Sequence, residues 1–255
     1  MPERRDRWDA DAYTRKFSFV PEYGAALLDL IGKPPGSRCL DLGCGAGALS
    51  AELHGRGFVV TGLDASPELL AKARTACPEV RFLEADAGAF TLPEPVDVVF
   101  SNAVLHWIAA ERQPAVLDCV FRALAPGGEF VFEFGGRGNN ARIHEALAAS
   151  FAARGLPYAN PFYFPSIGEY APLVEAAGFR LEYAALFERP TVLQGPDGMS
   201  DWMAMFIRRP FAGLDAAVRT ALIADAVSRL RGELFHDGTW RADYVRLRGK
   251  AVKRI

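Results

Sequence analysis

The chain has 255 residues, half of them hydrophobic, with 29 basic side chains against 31 acidic ones. This is ample apolar material for one large α/β domain, and a formal charge of -2 gives no basis for nucleic acid or an anionic membrane as the main partner. The start of the chain, Met1 to Trp8, lacks the apolar core of a signal peptide, no apolar run is long enough to cross a bilayer, and Cys39, Cys44, Cys77 and Cys119 show no CxxC or metal spacing, so a cytoplasmic protein with reduced thiols and no metal is expected.

Residues 22–31 are predicted to be helical, with Leu27, Leu28 and Ile31 on the apolar stripe, stopped by Gly32 to Gly36. Strands are predicted over 38–42, 58–63, 80–83, 96–101 and 129–134, with helices over 47–55, 67–75, 102–109 and 112–124 between them. Val-rich strands alternating with helices argue for a parallel sheet with helices on both faces. Beyond 135 the pattern changes. Residues 139–154 are predicted helical, and Ser166 and Glu169 have capping-box spacing before a short helix closed by Gly178. A strand is expected from 179, a helical stretch over about 198–231, and a last strand over 240–253. This gives one domain, 1–255: an N-terminal helical cap (1–36), a cofactor core (37–135), helical lid insertions (139–178 and 195–238) and the last two strands (179–190 and 239–253).

The most informative segment runs from Cys39 to Gly47, where a hydrophobic strand ends in Asp41 and a glycine-rich turn leads into a helix. Gly43, Gly45 and Ala48 also satisfy a loose dinucleotide pattern. Asp41, however, would face a pyrophosphate held at the helix N-terminus, whereas the ammonium and sulfonium of S-adenosylmethionine (SAM) would be favoured by a nearby carboxylate. The competing role for Asp41 is to cap a loop amide. Asp64 closes the second strand at about the 20-residue interval where an acid meets ribose hydroxyls, although it could also serve as a helix N-cap. Ser66 followed by Pro67 already fills the N-cap role. Asp86, after the third strand, is placed to accept from an adenine amino group.

These residues carry a resemblance. Cys39 to Gly47, Asp64-Ala65-Ser66-Pro67, Ala85-Asp86-Ala87 and Phe100-Ser101-Asn102-Ala103 resemble the successive motifs of class I SAM-dependent methyltransferases. The specific motifs cover about residues 8 to 135. Trp8, Tyr13 and the segment Asn102 to Trp107 are most similar to the trans-aconitate methyltransferase-like group, although Phe17 stands where related chains often carry a histidine. The resemblance implies a Rossmann-like, seven-stranded, mostly parallel sheet with an antiparallel last strand. It also implies SAM as cofactor and S-adenosylhomocysteine as product. Asp41 with Gly43, Cys44 and Gly45 would hold the methionine end, Asp64 the ribose, and Asp86 and Ala87 the adenine, with Ala65 and Ser66 also among the cofactor contacts. Ser101, Asn102 and Ala103 would form the floor, and Tyr13 would join the cofactor site.

For the transfer itself, His106 is the candidate base. On a helix starting at Asn102 the two would share a face, and an unperturbed imidazole titrates near neutrality. The other role for His106 is a hydrogen-bonded wall against the ligand. His106, Trp107, Phe134 and Tyr163 are the candidate substrate contacts. Arg137, Arg189 and Arg208 are possible anion clamps among which spacing does not choose, and the basic tail from Arg241 to Arg254 reads as solvated surface. The expected function is methyl transfer to a small molecule, with a carboxylate oxygen preferred from resemblance, by a monomer or homodimer. The alternatives are an N- or C-methyltransferase, a SAM-binding protein without transferase activity, and a Rossmann oxidoreductase.

Overall fold

A computed structural model describes residue 24 and residues 26–254; Trp8, Tyr13 and Phe17 therefore lie outside the described residues. The first half alternates β1 (Arg38–Leu42), α1 (Ala48–Gly55), β2 (Val59–Asp64), α2 (Pro67–Ala76), β3 (Arg81–Glu84), β4 (Val96–Asn102), α3 (Gln113–Ala123) and β5 (Leu124–Gly135). The second half adds α4 (Ala141–Ala152), α5 (Ile167–Ala176), β6 (Phe179–Leu193), α6 (Gly198–Phe206), α7 (Ala216–Leu234), the two-residue β7 (Phe235–His236) and β8 (Thr239–Lys253).

The sheet order is β3-β2-β1-β4-β5-β8-β6, with β7 paired to β8. Strands β1 to β5 pair in parallel, and β8 runs antiparallel between β5 and β6, as the family resemblance implies. The chain reverses its direction of winding between β1 and β4, where open α/β sheets gather ligands at the carboxyl ends of their strands.

Period-two alternation builds a core on each face. Leu40, Leu42, Val99, Phe130, Phe132 and Phe134 pack under α3 and α5. Cys39, Val60, Val98, Phe100 and Val131 pack under α1, α2, Leu27 and Leu28 on the other face. A third cluster joins α4, α6 and α7 over Trp240 and Ala242, in the region expected to form a lid. The helix at 167–176, expected in the lid, does not belong to it. Its Tyr170 and Val174 are buried against the sheet, and Ser166 caps it in a complete capping box.

Two other expectations are corrected. The helix predicted over 102–109 is a single 3-10 turn, Leu105–Trp107, because Ala103 adopts φ 61° and ends β4. The stretch predicted helical over 198–231 is split in two around Pro210 and the left-handed Gly213 (φ 80°).

Candidate active site

The loop between β1 and α1 consumes its own amides. Gly43 N and Cys44 N donate to the Leu63 carbonyl at 2.7 and 3.0 Å, Gly47 N donates to the Cys44 carbonyl at 3.0 Å, and Gly45 N donates to Asp64 Oδ2 at 2.9 Å. An anion-binding loop directs such groups at its ligand instead. Spending these four on protein acceptors removes a pyrophosphate cradle and disfavours the oxidoreductase alternative. A Cβ on Gly43 would collide with Val104. At Gly45 (φ 54°) a Cβ would meet nothing within 4 Å, so it would project into open space.

That space is a cleft of about 240 Å³, walled by Gly43, Gly45, Asp64, Ala65, Asp86, Ala87, Asn102, Ala103, Val104, Trp107 and Arg112 among others. Eight of the expected cofactor residues therefore come together. Asp64 also accepts from Ser66 N at 2.8 Å, and Ser66 Oγ caps α2. Asp86 sits at the exposed rim, where it pairs with Arg112 at 2.8 Å and accepts from Gly88 N at 2.7 Å.

Four other expected contacts stand behind the wall. Asp41 is 2% exposed and accepts from Ser50 Oγ at 2.6 Å. Cys44 is buried among Val60, Ala73 and Phe82, and Ser101 donates to the Leu42 carbonyl at 3.0 Å. Ser66 is held by its capping role. Burial pushes the Asp41 carboxyl up to about 7; the Ser50 hydrogen bond opposes this and the charge of Asp64 adds to it. Burial likewise raises Asp64, against the amides of Ser66, Gly45 and Ala65. A cleft that gathers acids and withholds its amides fits a cationic nucleoside such as SAM.

A second pocket, of about 70 Å³, opens from the cleft across Asn102, Ala103 and Trp107, which line both. Its other walls are His106, Asn139, Asn140, Phe162, Phe164, Arg189, Trp202, Phe206, Tyr244 and Arg246. The expected contacts Phe134 and Tyr163 are not among them. Phe134 is fully buried against Tyr170 at 4.9 Å. Tyr163 packs against the same core, while its neighbours Phe162 and Phe164 line the pocket.

The tail read as solvated surface is instead an inner strand of the sheet. Tyr244, Arg246, Arg248 and Lys250 share one face of β8. Glu133 of β5 stands directly opposite Arg248 and is 1% exposed. It accepts from Arg189 at 2.6 and 3.0 Å, Arg246 at 3.2 Å and Arg248 at 2.7 Å. Burial works to raise the Glu133 pKa, but Arg246, Arg189 and Arg248 outweigh it and hold the carboxyl below its ordinary range. Two of these three guanidinium groups, Arg189 and Arg246, line the pocket. The sequence signal for them was the alternation Arg246, Arg248, Lys250, which marks a strand with one charged face. Its buried counterpart, 113 residues away at Glu133, gave no local sign.

His106 lies at the junction. Its Nδ1 accepts from Gly135 N at 3.3 Å, and burial, with the charge of Arg246, holds its pKa well below the ordinary 6.5. The ring is therefore neutral, and an accepting Nδ1 leaves its proton on Nε2.

Comparisons with known proteins identify the family. The "Methyltransferase domain" family model matches residues 39–128. An uncharacterized methyltransferase of Schizosaccharomyces pombe is 34% identical, over 99% of this chain and 100% of its own length. The trans-aconitate 2-methyltransferase of Methylobacterium nodulans is 32% identical, over 85% of this chain and 86% of its own. The fold is similar to that of a Haemonchus contortus phosphoethanolamine N-methyltransferase solved with S-adenosylhomocysteine. The TM-score is 0.59 at 18% identity, over 96% of this chain and 57% of that one.

Proposed function

The chain belongs to the class I SAM-dependent methyltransferases, close to the trans-aconitate methyltransferase group, and from that premise we propose that it methylates a carboxylate oxygen of a compact small-molecule acid. One observation carries this reading: the pocket beside the cofactor cleft presents Arg189 and Arg246, both braced on buried Glu133. Paired guanidinium groups match carboxylate geometry and stay charged at any working pH. A trans-aconitate 2-methyltransferase among the relatives supports the same choice of acceptor.

Asp64, Asp86 and the Gly43–Gly45 wall would hold SAM, with buried Asp41 supporting its cationic end from behind. When bound, SAM supplies a methyl group already activated by the sulfonium. In-line displacement would form the carboxylate O–CH₃ bond as the S–CH₃ bond breaks with its electron pair passing to sulfur, which would leave a methyl ester and S-adenosylhomocysteine. No proton moves, so positioning is the main task of the protein. His106 is assigned as a neutral wall that offers Nε2–H to the acid rather than as a base. Asn102 and Ala103 shape the passage between the two sites, and aromatic side chains around the pocket exclude water.

No helix of the described residues is long and apolar enough to cross a membrane. A cytosolic enzyme working as a monomer or homodimer completes the proposal. The test is incubation with SAM and a panel of small acids, amines and phenols, followed by mass analysis. A methyl ester formed from an acid is expected. Methylation confined to nitrogen, carbon or phenolic oxygen would overturn the choice of acceptor. SAM binding without turnover on any acceptor would favour the non-catalytic alternative.

A further inference from the structure

Two buried polar atoms beside the pocket have no hydrogen-bond partner among the described residues, and the mechanism above uses neither. Asn140 is 3% exposed and lines the pocket, and its Oδ1 is one of them. His144 follows one turn later in α4, 7% exposed, with Nε2 the other. Its ring packs 5.8 Å from Phe162 and 6.0 Å from Phe164, both walls of the pocket. A buried donor or acceptor left unmet costs about 1–3 kcal/mol, so two such residues one helical turn apart, one lining the pocket and the other packed against its walls, point to a ligand group.

The chemistry of each atom can be assigned. His144 Nδ1 lies 2.6 Å from the Tyr158 hydroxyl. Burial holds the His144 pKa down to about 4, so the ring is neutral, and burial raises the Tyr158 phenol above its ordinary value. A neutral imidazole nitrogen is a better base than a phenol oxygen, so Tyr158 donates and Nδ1 accepts. The proton of the ring is then on Nε2, which makes it a donor. Asn140 Oδ1 is an acceptor. The backbone fixes Asn140 in place, because its N–H donates to the Asp243 carbonyl at 2.8 Å and the residue holds φ 55°.

We propose that Asn140 and His144 form a subsite for a hydroxyl group on the methyl acceptor, which is therefore a hydroxy acid. A hydroxyl oxygen accepts from Nε2–H, and its proton goes to Oδ1. A carboxylate has no proton to give Oδ1, and the cations that suit one stand at Arg189 and Arg246. The inference rests on the acid-methylating reading and narrows it.

The experiment compares butanoate, its 2-, 3- and 4-hydroxy derivatives, and succinate as acceptors. The readout is kcat/KM from S-adenosylhomocysteine release. At least one hydroxybutanoate should exceed butanoate tenfold or more. Asn140→Gly removes the amide, and glycine tolerates the left-handed backbone. It should bring the hydroxy preference within threefold of unity, as should His144→Phe. Asn140→Asp keeps an acceptor oxygen and should restore the preference while rejecting succinate. Equal rates on butanoate and all hydroxybutanoates, a preference for succinate, or a hydroxy preference that survives Asn140→Gly would overturn the subsite. If His144→Phe does not fold, the two Asn140 variants decide. If no acid is methylated, the acid-methylating reading fails, and calorimetry on the S-adenosylhomocysteine-loaded protein then tests the subsite alone. Hydroxybutanoate binding weakened tenfold by Asn140→Gly supports it, and unchanged binding overturns it.

Discussion

Arg189 and Glu133 form a two-pronged ion pair, Nη1 to Oε1 at 2.6 Å and Nη2 to Oε2 at 3.0 Å, joining β6 to β5 across the intervening β8. Arg246 and Arg248 come from that middle strand and share the same carboxylate. Glu133 thus orients the two cations, Arg189 and Arg246, that line the pocket beside the cleft.

Replacing Glu133 by Gln leaves three guanidinium groups gathered without their anion. A stability loss of about 3–5 kcal/mol is expected, as for breaking a buried ion pair. Because the folded state holds this carboxyl below its ordinary 4.5, its contribution is present above that value and is lost as pH falls through the depressed one. Urea unfolding at pH 7 and pH 4 checks both statements. The variant should lose less stability between those pH values than the wild type.

Arg246→Met preserves much of the packing volume and removes one pocket cation. The KM for the accepted acid should rise at least tenfold, while the SAM dissociation constant stays within about twofold. Steady-state kinetics together with SAM calorimetry separates the two effects. A tenfold loss of SAM affinity would assign Arg246 to the cofactor cleft instead.

Asp41 is expected to connect pH to cofactor binding. Its folded-state pKa of about 7 lies above the ordinary 3.8, so its stabilising contribution is full below the ordinary value and is lost as pH rises through 7. A cationic ligand favours the ionised form. SAM should therefore bind several-fold more tightly at pH 7.5 than at pH 6 and release a proton at pH 6. Calorimetry in buffers of different ionisation heat measures that proton. Asp41→Asn should abolish the release and raise the thermal midpoint of the ligand-free protein at pH 8.

His106→Gln places an amide N–H where Nε2–H stands. If His106 donates a hydrogen bond, activity should stay within tenfold of wild type, with the pH–rate profile unchanged between 6 and 8. A general base would give a loss of a hundredfold or more and a profile that loses its acid limb.

Gly45→Val fills open space in the cleft with a β-branched side chain at φ 54°. SAM binding should fall at least a hundredfold. Circular dichroism and the affinity of Asp64→Ala, expected to weaken at least tenfold, distinguish a blocked cleft from a lost fold.

Sequence alone fixed the β1-to-β5 core closely, because each strand there is a local apolar run bounded by turn residues. The same local logic singled out Gly43, Gly45, Asp64, Asp86 and Asn102, which the fold gathers around one cleft because each is placed by its own strand end. It failed where contacts span the chain. Phe134 and Tyr163 look like site residues by position, yet both pack against the core under α3 and α5. Arg246 looks like surface until β8 inserts between β5 and β6 and buries it on Glu133.

What the sequence determined by itself was the strand-by-strand frame, which follows from short-range periodicity and turn chemistry, and, through the resemblance of its motifs, the family and its cofactor. What only the tertiary structure decided was the character of the pocket proposed to take the acceptor. Arg189, Arg246, His106 and Asn140 come from four separate segments, and only the pairing of distant strands and the packing of the lid bring them to one place. The resulting burial and fixed hydrogen bonds then set which of these groups carry charge and which offer protons, and no spacing along the chain encodes either.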